Sequence, residues 1–335
     1  MRRAFLIVLV LGIMAVVVVR EVRLHRKPPL ELAYVGMQGA TIWNSTAEVR
    51  AAVANLSYGE PVRIFQRDGD HALVQTKAGV RGWVLSDSLL SSALWHAAAL
   101  LNEGTEGMSV QARGETRARS NVHIRPGRQW EVIWSAPGGT AVDMFARQAT
   151  PNIERESRPG SPPDSSSLDD WYLVRTNVKN AAEVSGWVLG RLIRLDLPEP
   201  LPEFQSSEHI NIVAWFEINR AVDSTGVVKP EYLVMGTRDG EGRPCDFTLI
   251  RVFTWSPKRH RYETGFIERG LCGGLPVQVA PATAPGGKAH FNFSNVSLKG
   301  QENRQYEMTL TTVRRIASGA GETSKGRKRS GKAKE

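Results

Sequence analysis

The two cysteines, Cys245 and Cys272, are the residues of this sequence whose chemistry is most easily named. Cys272 is flanked by glycines and would be a nucleophile if His260 or His290 lay beside its thiolate. Two thiols are too few for a zinc site of four side chains, and the histidines lack the short paired spacing of such sites. A disulfide explains both cysteines with fewer assumptions if this region faces an oxidising compartment.

The positions of the cysteines fit a disulfide at the base of one hairpin. Cys245 precedes a strand-like run at 247–255, and Cys272 follows a second run at 262–268. Residues 256–259 form a turn signal between the two runs. A hairpin there returns both cysteines to the same edge of the sheet, within the Cα separation of about 4.4–6.8 Å that a disulfide needs. We therefore predict a Cys245–Cys272 disulfide.

No other group of residues has the spacing of a catalytic or cofactor site. Residues 326–333 resemble a phosphate-binding loop, but Ala333 stands where magnesium binding needs Ser or Thr, and no strand precedes it. Asp169 ends an insert, residues 157–169, whose Ser-, Pro- and Asp-rich composition predicts a flexible loop, and Asp170 lies beside it, so both acids are expected to be solvated. We predict a protein that is not an enzyme and that binds no metal or cofactor.

Strand and turn signals occur twice in the same order along the chain. Each copy has a strand, a long loop, a turn, two further strands and a closing Gly-Trp-Val tripeptide. These segments are 40–43, 56–62, 72–76 and 82–84 in the first copy, and 121–125, 137–142, 171–174 and 186–188 in the second. This order predicts two consecutive domains with the same small β fold.

Both copies resemble the bacterial SH3-like family, whose pattern reads N-V-R-x-G-P early, L-x-x-G-x-x-V in the middle and G-W-V late. The second copy fits the opening motif better, with Asn121, Val122 and Arg125 near it, whereas the first copy has Trp43 there. The resemblance covers about half of the chain. It implies two small β-barrels in an envelope protein that binds peptidoglycan or another envelope protein.

The resemblance assigns the two barrels to residues 33–90 and 113–197. One large aromatic side chain fills much of so small a core, so we expect Trp83 and Trp187 to be equivalent and buried. The glycine before each tryptophan is expected to allow a tight turn. Ala and Leu recur at helical spacing between the copies, which predicts a short linking helix within residues 91–112.

Three aromatic side chains of the second copy are the candidate binding residues. Trp130 and Trp134 fall in the long loop between its first strands, where SH3-like barrels often line a ligand groove. Together with Tyr172 they could stack on a sugar or a peptide. The alternative is that one or both tryptophans cap the open end of the barrel.

The N-terminal segment, residues 1–27, predicts an uncleaved signal anchor. Its apolar run at 4–19 would span about 24 Å as a helix, and snorkelling arginines can make up the difference to a hydrocarbon core of about 30 Å. No small residues suited to signal cleavage precede Arg20. The basic residues after the run favour a cytoplasmic orientation, whereas the domain resemblance and the cysteine pair favour the outside. We expect a single-pass inner-membrane protein with its bulk extracytoplasmic, and the conflict over orientation stays open.

The net charge of +9 is confined to the two ends of the chain. Residues 1–27 carry +5 and residues 318–335 carry +4, so residues 28–317 sum to zero. Nucleic-acid-binding domains usually carry a basic face within their folded part. We therefore predict no nucleic-acid partner and a basic, disordered tail at 318–335.

Residues 204–317 are predicted to form a separate antiparallel β-domain after a proline-rich linker. The strand-like runs are 209–218, 230–235, 247–255, 262–268, 275–279, 290–298 and 306–316. The whole chain is thus predicted to be all-β, with two SH3-like barrels and this third domain preceded by one transmembrane helix. No family is identified for the third domain.

These features favour a non-enzymatic, membrane-anchored binding or scaffold protein of the cell envelope. One alternative is a cell-wall enzyme with its site in the C-terminal domain, for which residues such as His260, Arg261 and Glu263 would have to converge in a pocket. Another is a cytoplasm-facing protein whose basic tail contacts anionic lipid or nucleic acid.

Overall fold

A computed structural model describes residues 28–37, 39–152, 168–176, 183–298 and 300–316. The predicted signal anchor, most of the predicted flexible insert and the predicted basic tail lie outside these residues. Within the described ranges, no helix is long and apolar enough to cross a membrane.

The described residues form three antiparallel sheets of seven strands each, which confirms the all-β class. The first sheet contains β1 (Glu31–Val35), β2 (Gly39–Trp43), β3 (Ala52–Ser57), β4 (Pro61–Asp68), β5 (His71–Thr76), β6 (Arg81–Leu85) and β7 (Leu89–Ser91). The second contains β8 (Ala112–Thr116), β9 (Ser120–His123), β10 (Val132–Ala136), β11 (Ala141–Pro151), β12 (Leu168–Thr176), β13 (Val184–Leu189) and β14 (Ile193–Leu195). The third contains β15 (Asn211–Val222), β16 (Val228–Thr237), β17 (Phe247–Ser256), β18 (Arg261–Ala280), β19 (Lys288–Ser297), β20 (Gly300–Thr309) and β21 (Thr312–Ile316).

The first two sheets have the same strand order. Neighbouring strands follow the order β3-β2-β6-β5-β4-β1-β7 in the first and β10-β9-β13-β12-β11-β8-β14 in the second. Each strand of the first sheet therefore corresponds to the strand numbered seven higher, and a short 3₁₀ turn follows both β6 and β13. The repeat in the sequence is thus a repeat of topology.

Contacts between residues divide the chain into two units. Of the described residues, those within 28–106, 118–140 and 175–188 form the first unit, and those within 107–117, 141–174 and 189–316 form the second. The first sheet belongs to the first unit and the third sheet to the second, while the strands of the second sheet are divided between them.

The two Gly-Trp-Val tripeptides occupy equivalent strands, β6 and β13, but their tryptophans do not fill the cores. Trp83 and Trp187 are half-buried, whereas the glycine and the valine on either side of each are buried. Side chains alternate between the faces of a strand, so the valine lies in the core and the tryptophan lies on the opposite face. The core of the first sheet is aliphatic and contains Val35, Ile42, Leu56, Val62, Ile64, Val74 and Val84.

The glycines of these tripeptides are required by a close backbone approach. A Cβ atom on Gly82 would lie 2.5 Å from the carbonyl oxygen of Trp43, and one on Gly186 would lie 2.9 Å from that of His123. Neither glycine has a left-handed backbone conformation, so the expected role in a tight turn is wrong. Trp43 pairs with Trp83 in the first sheet, and His123 pairs with Trp187 in the second. The same close approach of two strands therefore occurs in both copies.

The predicted linking helix is present as α1 (Ser92–Thr105). Ser91 is its N-cap, and the Ser91 hydroxyl accepts a hydrogen bond from the Leu94 N–H at 3.2 Å. Trp95 attaches the helix to the first sheet, since its ring stacks on that of Tyr34 with 4.9 Å between centroids and lies 5.5 Å from that of Tyr58.

The third sheet is a meander in which each strand pairs with the next along the chain. Its main core includes Ile218, Leu233, Phe247, Ile250, Phe291 and Tyr306. A second helix, α2 (Leu201–Glu208), packs on the other face, where Leu201 joins a cluster with Ile212, Tyr232 and Phe253. The Phe204 ring stacks on that of Phe253 with 4.1 Å between centroids.

Two predicted strand boundaries in this sheet are wrong. The predicted runs 262–268 and 275–279 are parts of one strand, β18. The glycines between them do not end the strand, because at least one of them is needed for packing against β17. A Cβ atom on Gly273 would lie 2.1 Å from the ring of Phe247, its partner on β17. Conversely, the run at 306–316 is divided into β20 and β21 by a turn at Leu310, whose φ is 53°.

Candidate functional site

The second unit contains an open groove between α2 and the short strand β14. Its main cavity has a volume of about 950 Å³. Residues of α2 and of the chain after it line the groove on one side, and β14 with the residues after it lines the other. The polar residues that line this cavity are Glu115, Arg194, Asp196, Gln205, Ser206, His209 and Asn211.

A smaller cavity of about 220 Å³ adjoins the first. The two share five lining residues, Arg194, Leu195, Leu197, Gln205 and Asn211. Tyr172 and Arg117 line only the smaller cavity. We name the two cavities together the binding groove.

Local sequence features shape the walls of the groove. Arg194 forms an ion pair with Glu115, its register partner on β8. Gly114 allows β8 and β14 to approach, since a Cβ atom there would lie 2.4 Å from the carbonyl oxygen of Arg194. His209 ends α2 in a left-handed conformation with φ of 53°, and its N–H donates to the carbonyl oxygen of Gln205.

The lining combines apolar walls with hydrogen-bonding groups of both kinds. Leu195, Leu197 and Ile210 supply apolar surface, whereas Asp196 accepts hydrogen bonds and Asn211 both donates and accepts them. Such a groove can bind a molecule that carries amides or hydroxyls along an apolar body, as peptides and glycans do. The described part of the chain contains no cluster of His, Cys, Asp or Glu side chains able to hold a metal ion.

The three predicted binding aromatics lie in different surroundings. Trp134, on β10, is only 3% exposed. Trp130 is half-buried, with the Arg125 guanidinium 4.6 Å from its ring centroid, and its carbonyl oxygen accepts a hydrogen bond from His123 Nδ1 at 2.7 Å. Tyr172 is buried but lines the smaller cavity, and burial raises the pKa of its hydroxyl. Of the three, only Tyr172 therefore contributes to the binding groove.

A network of buried charges lies beside Tyr172. The Asp170 carboxylate accepts hydrogen bonds from Arg147 Nη2 at 2.5 Å, from Arg243 Nη1 at 3.0 Å and from the Gly242 N–H at 3.0 Å. Arg243 Nη2 lies 3.5 Å from the Tyr172 hydroxyl. The side chains of Arg147, Asp170 and Arg243 are 2%, 4% and 6% exposed. Buried charges are tolerated when they are paired and hydrogen-bonded, as these are.

The expectation that Asp169 and Asp170 are solvated loop residues is wrong. Both lie on β12 and are buried. The Asp169 carboxylate accepts hydrogen bonds from Asn152 Nδ2 at 3.1 Å and from Arg191 Nη1 at 2.9 Å. The arginines that pair with these acids carried no signal in the sequence, because they come from distant segments.

Cys245 and Cys272 form the predicted disulfide, with their Cα atoms 4.9 Å apart. The reason given for it also holds, since a turn after Ser256 joins β17 to β18 and the hairpin returns both cysteines to one edge. Asp246, which follows Cys245 in the chain, belongs to the same network of buried charges as Arg147. Its carboxylate accepts hydrogen bonds from Arg147 Nη1 and from the Leu275 N–H, at 2.8 and 2.7 Å.

Burial weakens the acidity of one carboxyl group in the third sheet. Burial raises the pKa of Glu231 to about 7, against the opposing effect of the Trp255 N–H, which donates to Oε1 at 3.2 Å. The polar cluster named for an enzyme alternative lies elsewhere, at the turn between β17 and β18. There Arg259 and Arg261 both donate to Glu263 Oε1, and the neighbouring His260 is exposed.

No family model and no curated protein matches this chain. Among solved structures, NlpC2 from Trichomonas vaginalis is similar at 9% identity and a TM-score of 0.17, over 73% of this chain and 98% of that one. NlpC1 from the same organism is similar at 9% identity and a TM-score of 0.18, over 83% of this chain and 88% of that one. At these TM-scores the similarity supports no assignment of fold or function.

Proposed function

We propose that this chain is a non-enzymatic binding or scaffold protein of the cell envelope, anchored in the inner membrane by residues 1–27. The observation that carries the binding role is the binding groove, which is open, large and lined by both apolar and polar groups. Its main cavity falls in the size range of small-molecule sites, about 300–1,000 Å³. The Cys245–Cys272 disulfide supports an extracytoplasmic location, because cytoplasmic thiols are normally kept reduced.

The first two sheets are proposed to be tandem SH3-like barrels. Their identical strand order and the equivalent close approaches at Gly82 and Gly186 support a duplication of one fold. The late Gly-Trp-Val pattern then reflects the need for a residue without a side chain where two strands cross.

The proposed ligand is peptidoglycan or another envelope protein. Amides and hydroxyls of such a ligand would find acceptors at Glu115 and Asp196 and donors at Arg194 and Asn211. Trp130 and Trp134 stay proposed binding residues of the second copy, although the burial of Trp134 makes its replacement by alanine a poor test. Truncating a buried tryptophan costs about 3–5 kcal/mol of folding stability, which would obscure any loss of binding.

The proposal is tested by sedimentation of the full chain, in a mild detergent, with insoluble peptidoglycan. Ser206 and Ser207 are exposed neighbours on α2, but only Ser206 lines the groove. Ser206→Trp should obstruct the groove and weaken retention, whereas the matched control Ser207→Trp should be retained like the original chain.

The groove lies within residues 28–317, which carry no net charge, so the part of retention that Ser206→Trp removes should depend only mildly on salt. Equal retention of both tryptophan variants would overturn the role of the groove, and retention lost at moderate ionic strength would indicate nonspecific charge contacts. Release of soluble peptide or sugar from the peptidoglycan would favour the enzyme alternative.

A further inference from the structure

One face of the first sheet carries an aromatic strip that the core does not use. Trp43 on β2 pairs with Trp83 on β6, and Trp83 pairs in turn with Leu73 on β5. Residues that pair across antiparallel strands lie on the same face. Their chain neighbours Ile42 and Val84 lie in the core, so these three half-buried side chains lie on the outer face.

Arginine side chains cover aromatic rings at both ends of this strip. The Arg50 guanidinium lies over the Trp43 ring, 4.8 Å from its centroid. Arg81 precedes Trp83 by two positions on β6, and its guanidinium lies 4.9 Å from the ring centroid of Phe65 on β4. We name these residues the arginine–aromatic strip: Trp43, Arg50, Phe65, Leu73, Arg81 and Trp83.

A histidine holds Arg50 in place. Arg50 Nη1 lies 2.8 Å from His71 Nε2, and His71 Nδ1 lies 2.6 Å from the Asp70 carboxylate. A guanidinium can only donate, so Nε2 accepts and Nδ1 donates to Asp70. A guanidinium has five N–H groups, and the bond to His71 uses one of them. Arg50 is therefore oriented by a ring and an imidazole while it keeps donors for a ligand.

We propose that the arginine–aromatic strip binds an extended acidic peptide segment of a partner protein. Arginine presents a planar set of donors that matches a carboxylate, and a ring stacked beneath it preserves that plane. A neutral sugar would need the ring faces of Trp43 and Phe65 for stacking, and guanidinium groups occupy them. The chemistry of the strip thus favours carboxylates at its ends and apolar side chains over Trp83 and Leu73.

The dimensions of the sheet set the spacing of the acidic groups. Strands β2, β6, β5 and β4 are consecutive neighbours. Their spacing of about 4.8 Å places the two ends of the strip roughly 14 Å apart. An extended peptide covers that distance with about four or five residues. The inference rests on the proposed scaffold function, for which it names a class of protein partner.

The test titrates the full chain, in detergent, into a fluorescein-labelled peptide of sequence DLFLD and follows fluorescence anisotropy. We expect saturable binding that the neutral peptide NLFLN does not show. Arg50→Gln and Arg81→Gln should each weaken binding about tenfold, as expected for one charge-assisted hydrogen bond. Arg67→Gln is the matched control, because Arg67 is an exposed arginine of the same sheet that pairs with Glu31 outside the strip. It should bind like the original chain.

Equal binding of DLFLD and NLFLN, or unchanged binding by both strip variants, would overturn the proposal. Saturable binding of a fluorescein-labelled, uncharged chito-oligosaccharide, with no binding of DLFLD, would overturn the proposal and assign the strip to sugars instead. Arg81 is exposed, so Arg81→Gln keeps the test valid if Arg50→Gln fails to fold. Retention on peptidoglycan is measured on the same variants. Normal retention on peptidoglycan without binding of DLFLD refutes only this inference. Binding of DLFLD without retention on peptidoglycan refutes only the proposal that peptidoglycan is the ligand.

Discussion

Replacing Asp170 by asparagine keeps the size of the side chain and removes its charge. In the native structure this carboxylate is the shared acceptor of Arg147, Arg243 and the Gly242 N–H. The variant leaves both guanidinium groups buried, and of their carboxylate partners only Asp246 remains, bonded to Arg147. The NH₂ group of asparagine is a donor, so in some orientations it would face an arginine or the Gly242 N–H, which can only donate.

The expected loss is large because the two arginines are almost fully buried. Removing one partner from a buried ion pair costs about 3–5 kcal/mol, since the other charge stays desolvated. We expect Asp170→Asn to lower the free energy of unfolding by about 3 kcal/mol, because the amide oxygen keeps one acceptor. Asp143→Asn is the matched control. Asp143 lies on β11, is 35% exposed and pairs with Arg113 at 3.3 Å, so its loss should stay below about 1 kcal/mol.

The assay is urea unfolding of the full chain, with the double variant Asp170→Asn/Arg147→Met completing a cycle. Because methionine removes the buried charge that asparagine leaves uncompensated, the double variant should lose less than the sum of the single variants. A loss below about 1 kcal/mol for Asp170→Asn, or strict additivity in the cycle, would refute the reasoning that these charges stabilise one another.

Three further predictions concern a titrating acid, the disulfide and a strand crossing. Burial raises the pKa of Glu231 to about 7, so stability falls as pH rises from about 4.5, where the unfolded chain ionises, and levels off above 7, where both states are ionised. The free energy of unfolding should be up to about 3 kcal/mol lower at pH 8 than at pH 5, and Glu231→Gln should remove this difference. Thiol labelling of the denatured, unreduced chain taken from its native compartment should find no free thiol at Cys245 or Cys272. Two free thiols would contradict the extracytoplasmic location. Reduction of the disulfide should lower the free energy of unfolding by about 3–4 kcal/mol, given the 27-residue separation of the cysteines. Gly82→Ala should destabilise the folded chain by about 1–3 kcal/mol in thermal unfolding, because its Cβ atom would meet backbone atoms. The control Gly104→Ala, which lies in open space on α1, should be neutral or stabilising. Equal effects of the two substitutions would refute the close approach at Gly82.

Features that depend on near neighbours in the chain were predictable from the residues alone. Alternating apolar and polar residues, turn signals and the repeated Gly-Trp-Val tripeptide predicted an all-β chain with two similar copies. The hairpin after Ser256 brought Cys245 and Cys272 together, so local turn chemistry was sufficient to predict a covalent bond over 27 positions. Boundaries were less predictable where glycine serves packing, as at Gly273.

Features that depend on distant partners required the folded structure. The alternation of side chains along a strand predicts that Trp83 and Val84 lie on opposite faces, but it does not predict which of them faces the core. In the structure Val84 is buried, and the strands approach closely at the neighbouring Gly82. Asp170 looked solvated in a polar stretch, yet its arginines lie 23 and 73 positions away and become its neighbours only after the sheets form. The binding groove likewise combines residues from Gly114 to Val213, because a cavity is made by packing several segments that share no local pattern.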